Sequence, residues 1–158
     1  MGSQEQIIHR FYSAFRQLDY ATMQSCYSED AVFNDPVFGI LIGREVRSMW
    51  EMLCKQAGNF SLTYANIEIL DDEYATCVWT ATYEFSKTRR KVINRIKAHL
   101  RIQNEKIVEH TDQFDLWRWS RQALGVSGWL LGWSGLMKNK IRRKAAASLG
   151  KFMSQNHN

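Results

Sequence analysis

The chain has 158 residues with a single proline, and 45% of its residues are hydrophobic. This length and composition predict one domain with a full core and exclude a largely disordered or linker-rich protein. The net charge of +5 is uneven, because residues 116–158 carry eight lysines and arginines and no acidic residue. The sequence has no nucleic-acid recognition motif, so the basic region does not predict nucleic-acid binding.

The cysteines and the amino-terminal residues bear on the cellular compartment. Cys26, Cys54 and Cys77 lie in apolar periodic contexts, which favours reduced and buried thiols over disulfides. Residues 1–10 are too polar and too charged for a secretory signal peptide. We therefore expect a cytoplasmic protein.

Three helices are predicted in the first third of the chain. Apolar residues spaced by three or four positions give the first and third helices one buried stripe each. Gly58 supplies the stop signal after the third helix. The predicted helices cover residues 4–18, 20–27 and 44–56.

A carboxylate ends the strand that follows the second helix. Ala31, Phe33 and Asp35 share one face of this strand because side chains alternate with a period of two. Pro36 prevents further pairing, and residues 39–43 are expected to form a turn. Asp35 thus stands beside a chain reversal, where it either serves a functional site or only caps the turn.

Four longer strand patterns come next, separated by tight connections at 71–73 and 86–90. Helices first and a series of strands afterwards indicate an α+β fold, with the helices on one face of an antiparallel sheet. The predicted strands cover residues 60–70, 74–85, 91–102 and 106–116.

The last two strands carry polar groups on an apolar face. Asn94 and Ile96 belong to the mostly apolar even positions of the third long strand. The more apolar face of the returning strand consists of Val108, His110, Asp112 and Phe114. A three-residue loop with a bulge would bring these two faces together, whereas a two-residue loop would place Lys97 opposite Asp112. We expect the first of these two registers.

Asp35, His110 and Asp112 are the candidate catalytic residues, since an unpaired charge is costly to bury in apolar surroundings. His110 has no second histidine or cysteine at a metal-ligand spacing, so we expect no metal site. Asp115 falls on the opposite face of the strand and is expected to be structural or exposed.

Residues 27–36, together with the order of elements, resemble the nuclear transport factor 2 superfamily. This superfamily includes ketosteroid isomerases, limonene epoxide hydrolases and SnoaL-like polyketide cyclases. The resemblance covers about residues 4–121 and implies a cone-shaped, curved antiparallel sheet with the N-terminal helices on its concave face.

The resemblance also implies site residues. The base of the isomerases is the aspartate before the proline, which matches Asp35, while their oxyanion-hole tyrosine falls at Phe11, with Tyr12 one step round the helix. Their protonated aspartic acid falls at Ala98. The acid–base carboxylate of the limonene epoxide hydrolases matches Asp112.

Together these features imply a hydrophobic pocket with two carboxylates and an imidazole. Burial raises a carboxyl pKa and a nearby like charge raises it further, so one aspartate would act as acid and the other as base. We expect an enzyme of isomerase, cyclase or epoxide-hydrolase type, without cofactor, acting on a small apolar carbonyl or epoxide compound. The alternative is a binding module for a small molecule or lipid. The expected ligand-binding residues are Phe11, Tyr12, Phe15, Phe33, Trp50, Asn94, Ile96 and Phe114.

The domain is expected to cover residues 1–121, and residues 122–158 to form a basic, amphipathic helical extension. Trp129 and Trp133 lie one helical turn apart before its basic residues. This extension either packs on the domain and closes the mouth of the cone, which we favour, or makes peripheral contact with an anionic membrane.

The outer face of the sheet has a mixed composition, with Val78, Thr80 and Thr82 beside the polar positions of the neighbouring strand. Such a face is too mixed for a core, yet a long sheet needs cover on both sides. We therefore expect a homodimer formed through this face.

Overall fold

The computed structural model describes residues 1–131 and 134–156, without the side chains of residues 129–131. The predicted α+β fold is confirmed in this part of the chain. The predicted Trp129 and Trp133 pair lies outside the described side chains. The elements are α1 Ser3–Arg16, α2 Tyr20–Ser25, β1 Tyr27–Asp35, β2 Gly39–Ile42, α3 Arg44–Gln56, β3 Ser61–Ile69, β4 Tyr74–Glu84, β5 Lys91–Gln103, β6 Lys106–Gln113, α4 Leu116–Leu124, α5 Val126–Leu131 and α6 Gly135–Gln155.

The sheet is curved and unclosed, with the strand order β2-β1-β6-β5-β4-β3. Neighbouring strands are antiparallel as expected, except for β1 and β6, which run parallel. This pairing is parallel because the long stretch from β2 to β5 separates the two strands and allows β6 to return in the direction of β1. Both strands consequently end at the same edge of the sheet, called the mouth here.

Residues 39–43, expected to be a turn, instead contain the edge strand β2. Gly39 has a φ of +68°, which reverses the chain just after Pro36 and lets β2 pair with β1. Gly43 ends this hairpin with a φ of +57°, and a Cβ there would lie 2.9 Å from the Glu29 carbonyl oxygen. The second helix also ends earlier than predicted, so that Tyr27 begins β1.

The hairpin between β5 and β6 has the predicted facing but a different loop. Its turn has two residues, Asn104 and Glu105, both with positive φ. A bulge in β6 then shifts the register, so that Asp112 stands opposite Ala98. The predicted three-residue loop is therefore wrong, and so is the inward position of Val108. The bulge falls at Val108, which is only half-buried, and Ile107 is buried instead.

The core lies between the concave face of the sheet and helices α1 and α3. Helix α6 packs on this domain: Leu149 belongs to the main core, and Ile141 packs with Leu116 and Trp119 in a second cluster. Arg142 Nε donates a hydrogen bond to the Pro36 carbonyl at 3.1 Å, which holds α6 against the mouth. No described helix is long and apolar enough to cross a bilayer.

Candidate functional site

A line of hydrogen bonds joins five side chains inside the cone. Trp50 Nε1 donates to the Tyr27 hydroxyl at 3.0 Å, and this hydroxyl lies 2.6 Å from His110 Nδ1. His110 Nε2 lies 2.9 Å from Asp112 Oδ1, which also accepts a hydrogen bond from Trp79 Nε1 at 3.2 Å. All five residues are buried, so the line is closed to bulk solvent.

The partners along this line constrain the positions of its protons. Burial, followed by the negative charge of Asp112, holds the pKa of Tyr27 well above its ordinary value, so the hydroxyl stays protonated. Its oxygen accepts from Trp50, and its hydrogen is directed at His110 Nδ1. When the imidazole is neutral, Nδ1 is the acceptor and Nε2 carries the hydrogen that is donated to Asp112.

Aromatic rings surround the imidazole of His110. The rings of Phe11 and Phe33 present their edges to it at centroid distances of 5.7 and 5.2 Å, and the indole of Trp50 stacks at 6.0 Å. Such geometries are the favourable ones for aromatic pairs. The predicted ligand-binding residues of this region thus form a packed shell around His110.

Asp35 lies at the mouth, where β1 ends. The parallel register sets Phe33 beside His110, so Asp35 and Asp112, two residues further along each strand, share one face at adjacent positions. Asp35 Oδ1 accepts hydrogen bonds from the backbone N–H groups of Val37 at 2.9 Å and Phe38 at 2.6 Å. Asp35 therefore caps the turn, which was one of the two roles that the sequence allowed for it.

The environment of Asp35 favours its protonated form. The pKa of Asp35 is raised to about 6, chiefly by burial and to a smaller extent by the negative charge of Asp112. The backbone N–H groups of Phe38 and Val37 and the nearby His110 act in the opposite direction and lower the pKa of Asp35. A carboxyl group with a pKa about 6 exchanges protons near neutral pH, as a general base must.

Two tyrosine hydroxyl groups lie near the site: that of Tyr83 close to Asp35, and that of Tyr12 in the core. Trp119 Nε1 donates to the Tyr83 hydroxyl at 2.7 Å, which leaves the Tyr83 hydrogen available to another acceptor. Burial raises the pKa of Tyr83 and the nearby charge of Asp35 adds to this, so Tyr83 stays a neutral donor. The Tyr12 hydroxyl lies deep in the core and has no hydrogen-bond partner among the described residues.

A cavity of about 450 Å³ opens at the mouth rather than around His110. Phe114 contributes to its wall, whereas Phe15, Ile96 and Asn94 are buried in the interior. Asp115 also lines the cavity and caps helix α4 through the N–H of Arg118, so the structural role expected for it is present. The cavity is lined by Pro36, Phe114, Asp115, Leu116, Trp117, Lys138 and Arg142.

Sequence reasoning missed Tyr27, Trp79 and Tyr83 as members of this arrangement. Trp79 alternates with Cys77 and Ala81 on a buried face of β4, and this period of two could have indicated that the Trp79 side chain faces the interior. Tyr83 continues the same alternation to the end of β4, and Tyr27 begins the segment that carries Asp35. The described residues contain no cluster of three or more histidine, cysteine or acidic side chains that could hold a metal ion.

Comparison with known proteins defines the class of this α+β cone. Residues 8–110 match the family model of the SnoaL-like domain. The chain therefore belongs to the SnoaL-like domain family, and the resemblance seen in its sequence is confirmed. A search of curated proteins by sequence finds no significant match.

Solved structures share the fold at low sequence identity. A protein from Catenulispora acidiphila with a ketosteroid isomerase-like fold, in complex with trimethylamine, has a TM-score of 0.65 and 15% identity over 74% of this chain and 91% of its own. A protein from Xanthomonas campestris proposed to be a polyketide cyclase has a TM-score of 0.62 and 15% identity over 76% and 96%. TerC, co-crystallised with polyporic acid, has a TM-score of 0.61 and 15% identity over 72% and 92%.

Proposed function

We propose that the protein is an acid–base enzyme that needs no cofactor and moves a proton on a small apolar carbonyl compound. The observation that carries this proposal is the placement of Asp35 at the mouth, on the same sheet face as the buried line of hydrogen bonds that includes Asp112. The fold neighbours that hold trimethylamine and polyporic acid support a small-molecule site in a cone of this kind. We infer the class of substrate from the carboxylate and hydroxyl groups of this site.

Asp35 is assigned the role of general base. Its ionised carboxylate takes a proton from the carbon next to the substrate carbonyl, and the electron pair of that C–H bond forms an enolate. If the substrate carries a C=C bond conjugated with this enolate, Asp35 returns the proton to the far carbon and completes an isomerisation. If the enolate carbon instead attacks a second carbonyl of the same molecule, the new alkoxide takes the proton from Asp35 and completes a cyclisation. Tyr83 supplies the hydrogen bond to the enolate oxygen, because its hydroxyl is neutral and lies near Asp35.

Asp112 and His110 are assigned a tuning role. Asp112 is 3% exposed and already accepts two side-chain N–H groups, so it is not placed to receive a proton from a substrate. Its fixed negative charge raises the pKa of Asp35. In this proposal the two carboxylates divide the work: Asp35 is the catalytic residue, and Asp112 is a positioning residue that acts through it.

Binding without chemistry is the second candidate function. Two observations favour it. Aromatic rings pack tightly around His110, and the described cavity lies at the mouth instead, with the apolar side chains of Phe114 and Leu116 in its wall. In that case Asp35 and Arg142 would only orient an apolar ligand.

Exchange of the α-hydrogens of β-tetralone for deuterium, followed by NMR, distinguishes the two functions. This probe measures proton abstraction from an apolar ketone whatever the later steps are. We expect the wild-type protein to accelerate exchange and the Asp35→Asn variant to lose about 100-fold of that acceleration or more. Asp30→Asn, an exposed change of the same kind on the same strand, is the matched control and should retain it.

Tyr83→Phe tests the donor separately, and we expect it to slow exchange about tenfold while leaving the pH profile unchanged. Equal exchange rates for Asp35→Asn and Asp30→Asn would remove Asp35 as the base. Saturable binding of β-tetralone without acceleration would support the binding module.

A further inference from the structure

A second cavity, of about 350 Å³, lies on the side of helix α4 and is lined by Arg90, Arg118, Arg121 and Gln122. The last three share one face of α4, because positions three and four apart on a helix are neighbours. Arg90 reaches the cavity from the connection between β4 and β5. Two separate elements thus bring three guanidinium groups to one small space.

The frame of this cavity is held by hydrogen bonds. The side-chain amide of Gln122 accepts from the N–H of Ile93 at 2.9 Å and donates to its carbonyl at 3.1 Å. Arg90 Nε donates a hydrogen bond to the backbone carbonyl oxygen of Gln122 at 2.8 Å. A Cβ at Gly125 would lie 3.3 Å from Arg90 Cζ, so the glycine leaves room for this guanidinium beside the end of α4.

The three arginines have no acidic partner among the described residues. Arg89, their neighbour in sequence, does pair with Glu84 at 3.1 Å, so acidic groups exist nearby but are directed elsewhere. Like charges gathered in one cavity repel each other unless an anion compensates them. The cavity therefore has the electrostatic character of an anion site.

Arg121 gives a second, independent indication. Its guanidinium lies 4.2 Å from the ring centroid of Trp117, which fixes the plane of the group by a cation–π contact. Among the described residues no protein acceptor takes a hydrogen bond from its guanidinium, and its Nε is buried without a partner. The terminal N–H groups of Arg121 are therefore left for an anionic oxygen in the cavity.

We propose that Arg90, Arg118 and Arg121 form a binding site for a phosphate group. Three guanidinium forks suit a tetrahedral oxyanion with three acceptor oxygens better than a planar carboxylate with two. The three guanidinium groups supply the charged donors of the site, so the phosphate is the part of the ligand that the site recognises. The phosphate belongs either to a free phosphorylated small molecule or to the headgroup of a lipid.

Calorimetric titration with sodium phosphate, against sodium chloride at equal ionic strength, tests the site directly. The test variant is Arg118→Gln, since Arg118 is exposed and its removal leaves the Arg121 stacking in place. Lys140→Gln removes the same charge from an exposed position of α6 and is the matched control. We expect Arg118→Gln to weaken phosphate binding about tenfold and Lys140→Gln to change it less than about twofold.

Sedimentation with phosphatidylcholine vesicles, with and without phosphatidic acid, separates the two sources of phosphate. Binding that requires phosphatidic acid and is lost in Arg118→Gln assigns the site to a lipid headgroup. Binding of inorganic phosphate without vesicle binding assigns it to a soluble ligand. Absence of binding in both assays, or equal losses in Arg118→Gln and Lys140→Gln, would overturn the proposal.

Discussion

Asp112 and Asp35 lie on one face of the sheet, yet they differ in the kind of donor that binds them and in their depth in the fold. Asp112 accepts two side-chain N–H groups in a closed aromatic interior. Asp35 accepts two backbone N–H groups at the mouth, where the next residue, Pro36, lines the cavity, and its pKa is raised to about 6, chiefly by burial. The position of each aspartate along its strand therefore decides which donors surround it and how near to solvent it lies.

The largest effect is expected when the interior carboxylate is removed. Asp112→Ala leaves the N–H groups of His110 and Trp79 buried without an acceptor. We expect the free energy of unfolding to fall by about 3 kcal/mol, measured by urea denaturation at pH 7. Asp30→Ala, at an exposed position, should change it by less than about 0.5 kcal/mol. Equal stabilities of the two variants would show that the interior line does not stabilise the fold.

Helix α6 covers the mouth, so a change on its inner side should weaken the fold almost as strongly. Leu149 is 4% exposed in the main core, whereas Leu136 of the same helix is 85% exposed. We expect Leu149→Ala to lower the free energy of unfolding by about 2 to 3 kcal/mol and Leu136→Ala to have almost no effect. A small effect of Leu149→Ala would mean that the extension is separable from the domain.

Substitution of Asp35 is expected to raise the free energy of unfolding, whereas substitution of Asp112 lowers it. Its folded pKa is raised from 3.8 to about 6, so the native state holds this proton more tightly than the unfolded state does. Stability is then lost as the pH rises from about 4 to about 6. We expect Asp35→Asn to raise the free energy of unfolding by about 2 kcal/mol at pH 7 and to have little effect at pH 4.

The urea denaturation curves of wild-type protein and Asp35→Asn at both pH values provide the measurement. Asn keeps a side-chain oxygen that can accept from Val37 and Phe38, so the turn cap is retained. A variant that is less stable than wild type at pH 7 would contradict the unfavourable burial of this charge.

The smallest effect concerns the two faces of the sheet. The inner face is closed by helices, while Val78, Thr80 and Thr82 remain half-buried on the outer one. We expect a homodimer through this outer face, which Thr80→Glu would weaken by placing a charge in the contact. Sedimentation velocity at micromolar concentration checks this, and a wild-type monomer would remove the prediction.

Local signals were sufficient for much of the fold. Helix α3 covers the predicted residues 44–56, since its apolar period is regular and Gly58 follows it. Strand β2 was not predicted because it has only four residues, and Ile40 and Ile42 face solvent instead of forming an apolar stripe. Its formation depends on the reversal at Gly39 and on pairing with β1.

The candidate site was predictable only in part, for a related reason. The alternation of residues in β6 placed His110 and Asp112 on the inner face. Their partners Tyr27 and Trp79 lie 83 and 33 residues away in sequence from the groups they contact, so these bonds depend on register across the sheet. The cluster around Arg121 depends likewise on how α4 meets the β4–β5 connection.

The most direct measurement of the central claim is a pH titration of the Asp35 carboxyl carbon by ¹³C NMR in the intact protein, assigned with Asp35→Asn. We expect a midpoint at about pH 6, because burial raises the pKa of this group. A midpoint at about pH 4, the ordinary value for aspartate, would contradict the assignment of Asp35 as a base prepared by the mouth of the cone.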